Sequence, residues 1–466
     1  MKLSTLFSIL LLSLTNASAD TLDDWRALQY GMFIHFGMST FTGHEMDRGD
    51  KPSTTYAPTD LDVDQWIRVA RDAGMKYAVL TSKHVAGHCL WDSKVRFRGK
   101  EFDYDVATSG NTNDVVAEFV KACKKYDVAP GLYWCLYDEH NSSPPKGVGG
   151  NLTEEFFRFA QDQLTELISR YPDISYYWLD IPRVASEAQR RALYDLVKRL
   201  RPGTIVLFNY GFAAFGQDVQ GAFTIESSKG VSWPTDVLNT ERFPINTPFS
   251  PVQAWRGGTY RLGYEHCDTL AKNWFWVEGD RPRPIEELYR LYHKTTTAGG
   301  NLLLDVPPDR TGRIPDDSVK ALMELKKAID DPSVFPLPLN LNAQATASNV
   351  HRNDMTYRAG AAMDDNPASR WATDDGTTNA WLEVDLGKSM KIGRVVIEQA
   401  YPELKRVKQF AIEYRDGDEW KTCYRGENPG ANLDTRFEPI TARRVRLNIT
   451  GSTGGPTIKE FQLFER

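Results

Sequence analysis

Cysteine is scarce, with five in 466 residues at 89, 123, 135, 267 and 423. An odd, scattered set makes no disulfide framework; at least one thiol is expected free and buried, and one bridge is left open. A basic excess is also missing. Against 62 Asp and Glu stand 56 Lys and Arg, giving a net charge of −6, and with no cationic stripe to track a phosphate backbone, nucleic acid is not expected as a partner. Apolar runs of any length are confined to the start. Lys2, the stretch from Leu6 to Leu14, and Ala17-Ser18-Ala19 ahead of Asp20 make residues 1–19 a secretory signal peptide cleaved after Ala19, too short for a membrane span. Nothing else is apolar enough to cross a bilayer, so the mature chain is expected to be exported, periplasmic or secreted, without membrane insertion. The nucleophile elbow Gly-x-Ser-x-Gly does not occur. Gly147-Val148-Gly149-Gly150 follows Pro144-Pro145 rather than a strand, which suits a loop and not a phosphate cradle. His84 and His88 lie four apart after a strand with no third ligand in view, so no metal or other cofactor is expected in catalysis.

What the chain does have is 41% hydrophobic and 12% aromatic residues, enough for two cores. Strand-like runs at 30–36, 77–82, 130–137, 175–179, 204–208, 222–225, 274–277 and 301–306 alternate with helical periods at 61–74, 114–126, 153–171, 186–200, 284–298 and 316–329. Eight strands with helices between them predict an α/β fold, a (β/α)8 TIM barrel over residues 20–330. A proline-punctuated linker at 331–342 follows. From 343 to 466 helical periods stop, and short strands at 381–386, 392–399, 409–414, 443–449 and 458–464 predict a β-sandwich.

One run organises the rest. Tyr176, Tyr177, Trp178 and Leu179 make a buried strand that ends in Asp180, where a strand has no structural need of a charge. The acid is either a helix N-cap or a chemical group, and the cap reading is the weaker because Pro182 and Arg183 intervene and the next helix starts more naturally at Ser186. In a barrel, reactive groups gather at the C-terminal ends of the strands. His35, His84, Tyr133, Trp134, Asp180, Asn209 and Glu226 all fall there. Two carboxylates among aromatic rings are what glycoside hydrolysis needs, one ionised to meet positive charge at the anomeric carbon and one protonated to serve the leaving oxygen. Asp180 suits the nucleophile and Glu226 the acid/base.

Tyr30-Gly-Met-Phe-Ile-His-Phe-Gly37, Tyr77-Ala-Val-Leu-Thr-Ser-Lys-His84 with Cys89-Leu-Trp91, Trp178-Leu-Asp180 and Gly300-Asn-Leu-Leu-Leu-Asp-Val-Pro-Pro-Asp-Arg310 occur in one order. Over residues 25–329 they resemble the family 29 glycoside hydrolases, the α-L-fucosidases. The resemblance implies an exo-acting barrel that removes terminal α-linked L-fucose with retention, Asp180 as nucleophile, and His35, Glu45, His84, Tyr133 and Trp274 as fucose contacts, joined by Asn209 from its place at a strand end. It puts Glu226 where the family's acid/base is expected, with Glu265 as rival; Glu241, beside Arg242, reads as a salt-bridged structural acid. The chain departs from the family at Met46, after Glu45, and at Val85, after His84. These departures leave open a related exo-glycosidase such as an α-L-galactosidase. A non-catalytic carbohydrate-binding protein is the remaining alternative.

In the second domain, Ala362-Met-Asp-Asp-Asn366, Arg370-Trp371, Trp381-Leu-Glu-Val-Asp-Leu-Gly387, Arg444-Val-Arg446 and Lys459-Glu-Phe-Gln-Leu-Phe464 resemble discoidin-like, coagulation factor 5/8 type C domains, which are jelly-roll sandwiches. That resemblance implies carbohydrate binding and a structural calcium near Asp364, Asn366, Ser369 and Glu460, oxygen donors that suit the ion; a purely structural sandwich stays open beside it. Barrel joined directly to sandwich resembles the subgroup acting on α-1,3/1,4-fucosides. The implied partner is a fucosylated oligosaccharide or glycoconjugate.

Overall fold

The computed structural model describes residues 19–141, 152–209, 232–242, 244–245, 248–341, 343–366 and 368–465. The chain divides into two compact units, one reaching Lys327 and the other starting at Ala328.

In the first unit eight strands run parallel: β1 (Tyr30–Ile34), β2 (Tyr77–Lys83), β3 (Ala129–Cys135), β4 (Tyr176–Asp180), β5 (Ile205–Phe208), β6 (Val237–Glu241), β7 (Gly263–Thr269) and β8 (Asn301–Asp305). They hydrogen-bond in the order β5-β4-β3-β2-β1-β8-β7-β6, so the sheet curls into a (β/α)8-type barrel with a single seam, between β5 and β6. The backbone and side chain of Asp236 together bridge that seam in place of a ladder. The Asp236 N–H donates to the Val206 carbonyl at 2.8 Å, and Asp236 Oδ2 accepts from the Val206 N–H at 2.8 Å. Asp236 is pinned in turn by Lys198 Nζ and the Tyr194 hydroxyl, each at 2.6 Å.

Helices α1 (Val63–Asp72), α2 (Val115–Tyr126), α3 (Glu154–Arg170), α4 (Glu187–Leu200), α5 (Ile285–Thr297) and α6 (Asp316–Asp330) cover the barrel unit's outer layer. The sequence marks where they begin. Asp62, Asp114 and Thr153 each accept a first-turn N–H, and Ser186 with Gln189 closes a capping box, each cap being worth about 1 kcal/mol. Ser186 takes the cap of α4, which leaves Asp180 outside any helix.

One strand sits elsewhere than the sequence predicted, and another prediction falls on residues the structure does not describe. Residues 222–225 lie outside the described residues, among which the sixth parallel strand is β6; residues 274–277 are loop, and β7 stands in place of the seventh strand predicted there. The reason is polarity. Asn239, Thr240, Glu265, His266 and Asp268 are all buried in these strands, so neither reads as an apolar run. Hydrogen bonds make this tolerable, as buried polar groups require: Thr240 Oγ1 meets His266 Nδ1 at 2.7 Å and the Tyr264 hydroxyl at 2.8 Å.

Inside the barrel Phe33, Tyr77, Val79, Tyr133, Tyr176, Trp178, Leu207 and Leu303 pack together. Each large side chain so buried contributes roughly 1.5–3 kcal/mol. All five cysteines are free thiols. No described helix is long and apolar enough to cross a membrane.

The second unit is antiparallel throughout: β9 (Gln344–Ala347), β10 (Trp371–Ala372), β11 (Ala380–Gln399), β12 (Val407–Asp416), β13 (Glu419–Glu427), β14 (Asn432–Ser452) and β15 (Thr457–Phe464). Its order is β10-β15-β11-β14-β12-β13, with β9 on β11. The predicted runs 381–386 and 392–399 are two halves of β11, joined across register shifts after Asp385 and Ile392 that bend the strand in the manner of β-bulges. Trp371, Leu382, Val384, Ile397, Phe410, Leu447, Ile458 and Phe461 form the sandwich core.

Candidate active site

Side chains alternate along β4, so Tyr176, Trp178 and Asp180 point into the barrel while Tyr177 and Leu179 pack outward. Asp180 closes the strand, and Ile181 follows in the left-handed region at φ 51°. For a β-branched residue this is strained by about 1–3 kcal/mol, a cost usually found where backbone must turn sharply at a working site. The pattern repeats on β6, where Glu241 ends the strand and Arg242 follows at φ 65°.

Both oxygens of Asp180 are held. Tyr133, on β3, donates its hydroxyl to Oδ2 at 2.6 Å, and Asn209, just past β5, donates Nδ2 to Oδ1 at 2.7 Å. Asn239 fixes the Asn209 amide by donating Nδ2 to its Oδ1 at 2.6 Å. Burial, and after it the charge of Asp180, pushes Glu241 up to about 7, so that below this pH it holds a proton.

Aromatic rings build the rest. Trp178 stacks on Tyr133 with centroids 5.4 Å apart, and Tyr133 stacks on His84, also at 5.4 Å. Burial holds the His84 imidazole well below its usual range and therefore neutral. His35, past β1, sets Nδ1 2.7 Å from Oδ1 of Asp305, the last residue of β8, so with Nδ1–H donated there Nε2 is left for a ligand. Burial raises Asp305 to about 6. Trp274 lies under the Arg242 guanidinium at 4.6 Å.

These residues meet at one cavity, lined by Phe33, His35, Glu45, His84, Tyr133, Trp178, Asp180, Asn209, Glu241, Cys267 and Trp274. The structure thus brings Asp180 together with His35, Glu45, His84, Tyr133, Asn209 and Trp274. Glu45 is exposed at the mouth, where a second hollow is lined by Met46 and Arg48. Trp134 turns elsewhere, with Lys83 Nζ over its ring at 4.0 Å. Val85 is buried in the barrel core.

Glu226 lies outside the described residues. Glu265 sits low in the barrel, level with Asn301 at the start of β8, and fully buried. There it accepts from the Tyr77 hydroxyl (2.8 Å), the Tyr176 hydroxyl (2.9 Å) and Trp178 Nε1 (2.8 Å), which places it beneath the cavity and out of a substrate's reach; it is no rival for the acid/base role. Glu241 is not the salt-bridged acid expected of it. Arg242 turns to Asp268 at 3.2 Å and to the Thr269 hydroxyl, leaving Glu241 facing the cavity. An in-register strand ending in Thr240-Glu241 would have revealed it, but the polar interior of β6 concealed the strand.

In the second unit Asp364, Asn366 and Ser369 share one turn. Asp364 Oδ1 accepts from Ser369 Oγ at 2.6 Å and from the Asn366 N–H at 3.2 Å, while Glu460 lies on β15 opposite Glu398. The donors are hard oxygens that suit calcium, with one Asp364 oxygen already engaged. Among the described residues no cluster of three His, Cys, Asp or Glu side chains could hold a metal.

A cavity at the C-terminal end of a (β/α)8 barrel, walled by aromatic rings and holding an oriented Asp beside a second carboxyl, defines a glycoside hydrolase. Comparison with known proteins names the kind. The alpha-L-fucosidase family model matches residues 50–329, and the F5/8 type C domain model matches residues 344–461. Alpha-L-fucosidase 1 of Arabidopsis thaliana is 26% identical over 457 residues, 94% of this chain and 86% of its own. A crystal structure of a presumptive α-L-fucosidase from Bacteroides thetaiotaomicron is 25% identical with a TM-score of 0.57, covering 96% of this chain and 97% of that one. A family 29 fucosidase from Ruminococcus gnavus, solved in complex with fucose, is 22% identical with a TM-score of 0.53 over 96% of this chain and 94% of its own. The chain belongs to the alpha-L-fucosidase family and carries an F5/8 type C domain.

Proposed function

We propose that this α-L-fucosidase releases terminal α-linked L-fucose with net retention, Asp180 attacking the anomeric carbon to form a fucosyl ester that water then hydrolyses. The observation that carries the reading is the clamp on Asp180. Two donors on two different strands' ends fix both its oxygens, so the carboxylate is aimed before substrate arrives, and pre-set geometry is where much of a barrier is removed. His35, Glu45, His84, Tyr133, Asn209 and Trp274 would hold the ring, the aromatic faces against its apolar side. The fucose complex of the Ruminococcus gnavus enzyme supports a fucosylated oligosaccharide as the substrate. The direct joining of barrel and sandwich supports α-1,3 or α-1,4 linkages, the leader at 1–19 supports export, and the oxygen donors at Asp364, Asn366, Ser369 and Glu460 support a structural calcium. No cofactor takes part in the proposed reaction.

The test is fucose release from an aryl α-L-fucoside, an aryl α-L-galactoside and a panel of α-1,2-, α-1,3-, α-1,4- and α-1,6-fucosides, with the first-formed anomer read by NMR. α-L-Fucose as first product, lost in Asp180→Asn, is the expected result. First formation of the β-anomer, or full activity in Asp180→Asn, sinks the double displacement. Faster cleavage of the galactoside would move the substrate class.

A further inference from the structure

We infer that the hollow at the mouth of the barrel, lined by residues between Phe41 and Thr55, receives the sugar that carries the fucose, and that Asp47 is the residue that recognises a hydroxyl of it. The inference deepens the proposed function and rests on terminal fucose occupying the cavity beside Asp180.

Placement comes first. The bond to be broken joins the fucose to the next sugar, so that sugar must lie against the open side of the cavity. Glu45 borders the cavity and the hollow alike, which sets the two side by side at the mouth. The lining of the hollow is polar and mixed in sign: Asp47 and Asp50 stand among Arg48 and Lys51. Interleaved charges of this kind complement a neutral ligand rich in hydroxyls better than an anion or a cation. Met46, 53% exposed, adds a soft apolar side chain on which the C–H face of a ring can rest.

Asp47 supplies an independent sign of a ligand. It is 4% exposed, yet it spends one oxygen. Oδ1 accepts from the Gly49 N–H at 2.8 Å, and among the described residues Oδ2 takes no hydrogen bond or ion pair. Buried polar groups are normally satisfied, and an unspent acceptor on the wall of a hollow is what a ligand hydroxyl fills. The wall is also set before any ligand arrives. Ser39 Oγ donates to the Glu45 carbonyl at 3.1 Å, His140 Nδ1 to the Gly49 carbonyl at 2.8 Å, and the Tyr104 hydroxyl to the Lys51 carbonyl at 3.0 Å. His140 and Tyr104 stack on one another with centroids 3.8 Å apart, and a Cβ on Gly49 would run into the Ala86 carbonyl. A segment pinned at these points loses little freedom on binding, so its contacts count toward affinity.

The experiment compares kcat/KM of wild type, Asp47→Asn, Asp47→Ala and Arg48→Ala on an aryl α-L-fucoside, whose leaving group carries no further hydroxyl, and on whichever α-1,2-, α-1,3-, α-1,4- or α-1,6-fucosylated oligosaccharide the wild type cleaves fastest. Loss of one hydrogen bond to a hydroxyl costs about 3- to 10-fold. Each variant's preference for the oligosaccharide over the aryl fucoside should fall by about that factor, mostly through KM. Asp47→Asn keeps an oxygen for the Gly49 N–H and turns an NH2 to the hollow, so it should show the fall with the melting temperature unmoved, even if Asp47→Ala fails to fold. Equal losses on the two substrates, or no loss in Asp47→Asn, overturn the inference. So does a wild type that cleaves the aryl fucoside and none of the oligosaccharides, an outcome that leaves the fucosidase reading standing. Failure on the aryl fucoside itself would instead refute that underlying reading.

Discussion

Replacing Glu265 by Gln should change how the stability of the barrel depends on pH more than it changes stability at any one pH. The carboxyl is fully buried, and burial raises it from the usual 4.5 to about 7 in spite of three hydrogen bonds that favour its charge. A group that binds its proton more tightly when folded stabilises the fold below its unfolded pKa and loses that contribution as pH climbs through the folded one. Moving from 4.5 to about 7 at roughly 1.4 kcal/mol per pH unit, the loss is about 3 kcal/mol and is confined to that window. Glutamine never charges, so it escapes the loss. It also leaves one of the Tyr77, Tyr176 and Trp178 donors without a full acceptor, at about 1–3 kcal/mol. The variant should therefore be weaker than wild type at pH 5 and level with it, or stronger, at pH 8. Urea unfolding of both proteins at pH 5, 6, 7 and 8, followed by tryptophan fluorescence, reads the gap directly. A gap constant to within about 0.5 kcal/mol across that range would refute the argument, because it would mean Glu265 is as charged in the fold as in the unfolded chain.

Tyr133→Phe removes one of the two donors on Asp180; a hydrogen bond to a charged group is worth about 1.5–3 kcal/mol, so kcat/KM should fall by about 10- to 100-fold, and a loss under threefold would show the clamp to be idle. Lys83→Met leaves Asp138, fully buried and 3.0 Å from Lys83 Nζ, without its cation and should destabilise by about 3–5 kcal/mol. The double variant Lys83→Met/Asp138→Asn should recover part of that in denaturant titrations, and a strictly additive result would count against charge as the cause. Chelation with EGTA should lower the melting temperature of the second unit, with calcium restoring it; an unmoved transition would remove the ion from the account.

Most of the barrel could be read from the chain because its outer surfaces and helix starts speak a plain language. Alternating apolar runs mark β1 to β5 and β8, and Asp62, Asp114, Thr153 and Ser186 mark their helices. β6 and β7 were illegible for a physical reason: Thr240 and His266 satisfy one another across strands, and Glu265 is satisfied by three aromatic donors from β2 and β4. Burial of that kind depends on partners up to 188 residues away, which no local window contains. The same blindness hid Glu241. Neighbourhood in sequence tied it to Arg242, whereas in space Arg242 serves Asp268 and Glu241 lines the same cavity as Asp180.

The left-handed residues that follow the two strand-ending acids bear on how this enzyme would change under selection. Ile181 and Arg242 hold conformations that Asn or Gly adopt with less strain, so a search for heat-resistant variants should meet both positions early, each substitution offering a small gain in melting temperature. Each would also relax the turn that sets the angle of an active-site carboxylate. Heat resistance found there should arrive with slower turnover, while gains won on the far faces of the helices should not. The two strained turns are thus where a laboratory lineage of this protein would first be forced to choose between lasting longer and working faster.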